Sequence, residues 1–274
     1  MTLVAEVDAH EGPVYLEREH ALCFTSVRTD RVSIRRLDLR TGAITTLVDD
    51  ANMANGMTLG HDGRLVVCEQ GTLDTPARIS RVEPRTGETE TIVDAFGGLP
   101  LSSPNDVVVS RDTAIWFTDP SYGHLQGFRP APALPDAVYR HHPATGSTTR
   151  VATGFDKPNG LVFSPDETIL YVSDNGAPHH LLAFDVTPQV TLDNPRVVAK
   201  STPEHPDGLA VDAAGNIYCS ASTGIHVFSP AGELIDEIDL PGAVNFTFGG
   251  PERSVLYVTA DSAVWAVMPH AKGA

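Results

Sequence analysis

Basic residues are scarce in this chain: 19 Lys and Arg stand against 35 Asp and Glu, a formal charge of −16 over 274 residues. That balance argues against nucleic acid or an anionic membrane as a partner, since both bind through clustered positive charge. A small neutral molecule or a cation fits better. Cysteine is almost missing. Cys23, Cys68 and Cys219 are odd in number and lack CxxC spacing, so they give neither a disulfide framework nor a zinc site and read as buried free thiols of a reducing compartment. No run approaches the roughly eighteen apolar residues of a membrane span. Met1 to Val7 lacks a basic, apolar leader, so the expected location is the cytoplasm. Helix-period patterning is nearly absent too, which leaves strands.

What is present is a repeat. Six polar starts recur at a spacing of roughly 40 to 50 residues, the range of repeat architectures. They are Glu11-Gly-Pro-Val, Asn55-Gly-Met-Thr, Asn105-Asp-Val-Val, Asn159-Gly-Leu-Val, Asp207-Gly-Leu-Ala and Asn245-Phe-Thr-Phe. Each leads into a second run rich in aromatic or β-branched residues, such as Ala21 to Thr25, Ile115 to Asp119, Leu170 to Asp174 and Leu256 to Ala260. Turn residues such as His61-Asp-Gly, Ser164-Pro-Asp and Ala214-Gly-Asn separate the two runs, so each pair reads as a hairpin.

A third run follows in most units (Ile34 to Asp38, Ile79 to Glu83, Val138 to His142). After it come a Thr-Gly or Ala-Gly turn and a more polar fourth run such as Glu88 to Val93. Four antiparallel strands in each of six units predict an all-β, six-bladed β-propeller over residues 1–274, as one domain. Only about three strands follow Asn245, so the alternating segment Thr2 to Val7 is expected to complete the last blade and close the ring. The longest irregular stretch, Ser121 to Ala137, contains Pro130, Pro132 and Pro135 and reads as a lid or rim over one mouth of the channel. Charged fourth strands discourage edge pairing, which favours a monomer.

In a propeller the first strand of every blade lines the axis, so Glu11, Asn55, Asn105, Asn159, Asp207 and Asn245 should form a ring near one mouth. Two carboxylates with several carboxamides make a hard-oxygen set, suited to Ca²⁺ better than to Zn²⁺. Carboxylates aimed at one axial point repel unless a cation or a shared proton compensates, which is the reason to expect a metal at Glu11, Asn159 and Asp207. Asn55 and Asn245 are better explained by Asx-turns, with each side chain bonding its own backbone. The pairs His141-His142 and His179-His180 are not ligand pairs, because neighbours on a strand face opposite ways.

Several segments together resemble a known family. Glu11-Gly-Pro, Ser103-Pro-Asn-Asp-Val-Val, Phe117-Thr-Asp-Pro-Ser-Tyr-Gly, Pro158-Asn-Gly-Leu, Pro206-Asp-Gly-Leu-Ala and Phe248-Gly-Gly-Pro, in this order, are similar to the senescence-marker protein, gluconolactonase and luciferin-regenerating enzyme family. Tyr122 to Pro130 and Leu134 to Arg140 resemble its fungal lactonohydrolase branch. The resemblance implies one divalent cation, usually calcium, with zinc, manganese or magnesium able to serve. Its ligands would be Glu11, Asn159 and Asp207, and Asn105 would contact substrate. The chain departs from gluconolactonase-like members at Leu99-Pro-Leu-Ser102, where a basic residue and an Asn are usual, which points away from strongly polar sugar lactones.

The leading expectation is therefore a metal-dependent hydrolase that opens a lactone. The cation would polarise the carbonyl, and Asp207 would activate water or, as the alternative, attack directly. Tyr122 and His124, on the Pro-rich insertion, are candidate substrate contacts. A phosphotriesterase-type hydrolase with the same oxygen cage is the second class, and a non-catalytic ligand-binding propeller the third. Neither Trp116 nor Trp265 precedes an Asp, so the Trp-Asp pairs of protein-binding blades are missing. The carboxylates also disfavour a metal-free condensing enzyme of the strictosidine synthase type.

Overall fold

The computed structural model describes residues 1–27, 31–177, 179–200, 205–269 and 271–274. Six four-stranded antiparallel sheets follow one another along the chain as the blades of a propeller. Blade 1 runs Val14–Leu16, Ala21–Val27, Val32–Asp38 and Ile44–Val48, and blade 2 runs Ala54–Leu59, Leu65–Glu69, Arg78–Val82 and Thr89–Val93. Blade 3 is Val107–Val109, Ile115–Asp119, Ala137–His142 and Ser147–Thr153; blade 4 is Pro158–Phe163, Ile169–Asp174, His180–Val186 and Leu192–Lys200. Blade 5 is Leu209–Val211, Ile217–Ala221, Gly224–Phe228 and Leu234–Asp239. Blade 6 takes Asn245–Gly249, Val255–Thr259 and Asp261–Val267 from one end of the chain and Thr2–Ala9 from the other. As expected from the pattern, this last strand closes the ring, with Thr2 opposite Ala266 and Ala9 opposite Asp261.

Alternation along each strand sends successive side chains to opposite faces, and here both faces are buried. Trp116 packs on Phe163 of blade 4 at a ring separation of 5.4 Å, while its neighbour Phe117 belongs to the core shared with blade 2. The same division recurs around the ring, so each gap between blades holds its own core. The gap between blades 6 and 1 is filled by Leu22, Phe24, Tyr257 and Val264. All three cysteines are buried and free in these cores.

Two features were not legible in the sequence pattern. A small hairpin pairs Ala95–Phe96 with Leu99–Pro100, and the insertion after blade 3's second strand carries one helical turn, Tyr122–Leu125. Arg129 ties this insertion down. Its guanidinium donates to the carbonyls of Leu101, Ser102, Thr72 and Thr75 at 2.7 to 3.1 Å. Among the described residues no helix is long and apolar enough to cross a membrane.

Candidate functional site

The channel widens at both mouths into hollows of about 570 Å³ each. One is walled by inner-strand residues such as Val108, Phe163 and Phe248. The other contains the oxygen-bearing residues: Glu11, Asn55, Asn105, Asn159 and Asp207 all line it. Five of the six ring positions thus share one cavity. The sixth, Asn245, sits behind Glu11 and donates from Nδ2 to Glu11 Oε2 at 2.7 Å.

The second strands hold these residues in place through hydroxyls. Glu11 is bracketed by Thr25: Thr25 N donates to the Glu11 carbonyl at 2.9 Å, and Glu11 N donates to Thr25 Oγ1 at 3.1 Å. Thr118 Oγ1 donates to the Asn159 carbonyl, and Ser173 Oγ to the Asp207 carbonyl, each at 2.7 Å and each from the preceding blade. Thr259 Oγ1 donates to the Asn245 carbonyl at 3.0 Å. The next residue outward on blades 3 and 4 is a buried carboxylate that fixes the loop leading to the ring. Asp119 accepts from Ser102 N and Ser103 N, and Asp174 accepts from Asp156 N and Lys157 N. A hydroxyl at the fourth position of the second run, followed by an acid, was a signal present in the sequence.

Two glycines permit the close approach. Gly12 has φ +56, and a Cβ there would lie 2.7 Å from the Asn55 carbonyl oxygen; one at Gly160 would lie 2.4 Å from that of Asp207.

Glu11 is only 3% exposed, and its two hydrogen bonds, from Gly12 N and Asn245 Nδ2, both fall on Oε2. Burial pushes its carboxyl above the usual range, against the pull of His10 and of the Asn245 bond. Asp207 is raised well above its ordinary value by burial first and by the charge of Glu11 second. Next to them, Asn105 Oδ1 is buried without a hydrogen-bond partner, a state that costs free energy unless something is bound there. Asn159 hydrogen bonds Asp207 and donates from Nδ2 to Tyr122 Oη at 3.4 Å. Among the described residues no three His, Cys, Asp or Glu side chains converge as a metal cluster. The donor set is instead two carboxylates with carboxamide oxygens, one of them unsatisfied, and this set fits a hard divalent cation with oxygen preference.

The remaining sequence candidates divide. Tyr122 lines the cavity, and burial followed by the Asp207 charge holds its phenol above the ordinary value. His124, two residues on, is exposed and does not line the cavity, whereas Gln126 does. Asn55 Nδ2 donates across the gap to the Asn105 carbonyl at 3.3 Å rather than to its own turn. Asn245 Oδ1 accepts from the adjacent Phe246 N at 2.7 Å, a local backbone bond but one residue short of the Asx-turn expected, and its Nδ2 is taken by Glu11.

The sequence reading missed His10 and Asp261. Both line the cavity, and His10 Nδ1 lies 2.7 Å from Asp261 Oδ1. Burial pulls His10 down, but Glu11 and Asp261 outweigh it, so the net shift is upward. Nothing in local spacing links residues at opposite ends of the chain.

The family model described as the SMP-30/gluconolactonase/LRE-like region matches residues 9–262. A gluconolactonase from Zymomonas mobilis is 33% identical over 193 residues, covering 66% of this chain and 53% of its own length, so the match spans about half of that relative. The lactonohydrolase oryL of Aspergillus oryzae is 27% identical over 97% of this chain and 69% of its own. Among solved structures, a gluconolactonase from Xanthomonas campestris superposes with a TM-score of 0.87 at 34% identity, covering 96% of this chain and 87% of that one. With the family model spanning nearly every blade, the chain belongs to the SMP-30/gluconolactonase/LRE-like family.

Proposed function

We propose that the protein is a metal-dependent lactone hydrolase, a cytoplasmic monomer whose single six-bladed domain carries one site. The observation that carries this reading is the convergence of Glu11, Asn105, Asn159 and Asp207 on one cavity, with Asn105 Oδ1 buried and unpartnered. Relatives named gluconolactonase and lactonohydrolase support the substrate class.

Glu11, Asn159 and Asp207 would hold the cation, most suitably Ca²⁺, with Zn²⁺, Mn²⁺ or Mg²⁺ as substitutes. When bound it supplies Lewis-acid stabilisation of the charge that develops on the carbonyl oxygen. Asn105 and Tyr122 orient the lactone, Tyr122 by donating its hydroxyl hydrogen. Asp207 takes a proton from the attacking water; as a ligand of the cation it is a weak base, so its part depends on holding that water close. The ring C–O bond then breaks, and the departing ring oxygen receives that proton to become the hydroxyl of an open hydroxy acid.

Lactone hydrolysis followed by pH-stat tests the reading on chelator-stripped protein, on protein resupplied with Ca²⁺, and on Asp207→Ala. Activity lost on stripping, restored by metal and lowered roughly 10²- to 10⁴-fold or more in the variant is expected. Undiminished turnover by Asp207→Ala would remove that residue from the chemistry, and undiminished turnover after stripping would remove the metal.

A further inference from the structure

The site cavity has two unlike sides. Its polar atoms come mainly from blades 3 to 6, whereas Val27, Val32, Met53 and Ala54 group where blade 1 meets blade 2, with the amides of Asn55 and Gln70 at their border. Val32 and Ala54 belong to the core between those blades, Met53 packs against them, and Val27 pairs with Val32 across the strands. The turn that presents Met53 is a costly one. Asn52 and Met53 have φ values of +51 and +57, consecutive left-handed residues without glycine. It is held by Gln70 N to the Met53 carbonyl, Gly71 N to the Asn52 carbonyl, and Asn52 Nδ2 to Glu69 Oε2 and the Pro76 carbonyl, all at 3.0 to 3.1 Å. The fold thus bears backbone strain to keep a flexible thioether at the cavity wall, a side chain that adapts to irregular apolar groups.

We propose that the site takes neutral lactones carrying an alkyl or aryl substituent, and that Val32, Met53 and Ala54 seat that substituent while the carboxylate side engages the ring. This rests on the lactone hydrolysis proposed above and specifies its substrate class. Each methylene buried against the wall strengthens binding roughly fourfold. Sugar hydroxyls placed against Val32, Met53 and Ala54 would lose water without gaining partners from those three side chains. Asp8, Glu11, Asp207 and Asp261 around the cavity disfavour an anionic substituent, and among the described residues no Lys or Arg lines it.

The test compares kcat/KM on δ-decanolactone, δ-valerolactone and glucono-δ-lactone for the wild type, Met53→Gln and Val32→Thr. Both substitutions are close to isosteric, and thermal melts verify folding. The alkyl lactone should be the best substrate. Met53→Gln should cut its kcat/KM on the order of tenfold while leaving δ-valerolactone within about twofold. Preference for glucono-δ-lactone, or an alkyl-to-plain ratio unmoved by both variants, overturns the wall while leaving lactone hydrolysis intact. If no lactone turns over, the reaction class falls, and calorimetric titration of δ-decanolactone decides the wall separately: tighter binding to the wild type than to Met53→Gln supports it, and equal binding overturns it.

Discussion

Asn245 Nδ2 donates to Glu11 Oε2 at 2.7 Å across 234 residues of sequence, joining the first strand of the last blade to the segment that opens the first. It anchors one oxygen of a buried carboxylate, and no described residue bonds the other, Oε1. Asn245→Ala should therefore weaken Ca²⁺ binding about 10- to 100-fold, the usual effect of removing a partner that orients a ligand. Asn245→Asp should weaken it further by setting a like charge against Glu11. Calorimetric titration of each variant measures both; unchanged affinity in Asn245→Ala would remove Glu11's orientation from the account.

Thr118 acts through its hydroxyl. Its Oγ1 donates to the Asn159 carbonyl and accepts from Asp106 N at 3.0 Å. Thr118→Val keeps the shape and strands both partners, so it should cost about 1 to 3 kcal/mol and lower Tm by several degrees for a chain of this size. Thr118→Ser should recover most of the loss. Thermal melts of the pair distinguish the hydroxyl from the methyl.

Arg129 should matter to turnover from a distance. Lysine cannot reproduce a fork that meets carbonyls of Thr72, Thr75, Leu101 and Ser102. Arg129→Lys is expected to loosen the insertion that carries Tyr122, raising KM several-fold with less effect on kcat. Hydrogen exchange over residues 121–137 should quicken in parallel.

The stability of metal-stripped protein should rise as pH falls through neutrality. Burial raises Asp106 to about 8, with the charge of Glu11 adding, and raises Asp119 to about 7 against its two backbone bonds. For a carboxyl whose folded value exceeds its unfolded one, near 3.8, the contribution is complete below 3.8 and is lost as pH climbs through 7 to 8. His141 works the other way: burial lowers it, so its contribution is complete above 6.5 and declines as pH falls below that. Two carboxyls outweigh one imidazole, so stripped protein should melt a few degrees higher at pH 6.5 than at pH 8.5. A lower melting point at pH 6.5 would show these carboxyls ionised in the folded state.

Burial pushes the thiols of Cys23 and Cys219 up to about 12 and that of Cys68 well above its ordinary value. Thiolate is the reactive form, so a disulfide reagent at pH 8 should label none of the three in the folded protein and all three in denaturant. Any fast-labelling thiol would mark a blade that opens on the timescale of the assay.

The ring was readable because each blade announces itself locally: a polar residue, an alternating run, a turn. Glu11, Asn55, Asn105, Asn159 and Asp207 meet in one cavity for that reason. Asn245 shares the signal, but its service to Glu11 does not show in any window of sequence. The same holds for Asp261 beside His10, where closure of the ring alone makes them neighbours. The insertion looked irregular because its order comes from Arg129, whose carbonyl partners lie 27 to 57 residues away. The hydroxyls of Thr25, Thr118, Ser173 and Thr259 were visible yet read as ordinary strand residues, since a β-branched or small polar side chain has a place in any strand.

Closure of the sixth blade also sets the order of assembly. Nothing covalent joins Thr2–Ala9 to Asp261–Val267; backbone hydrogen bonds and a core shared by Val4, Val7, Ala9 and Val264 hold them. During synthesis Glu11 leaves the ribosome 234 residues ahead of its partner Asn245, and the strand that locks its neighbour Ala9 follows later still. Until then the nascent chain presents an open blade edge, and the mouth with its paired acids does not exist. Completion of the ring and the appearance of the site are one late event, so a chain stalled before the final blade would have most of its cores and no cage.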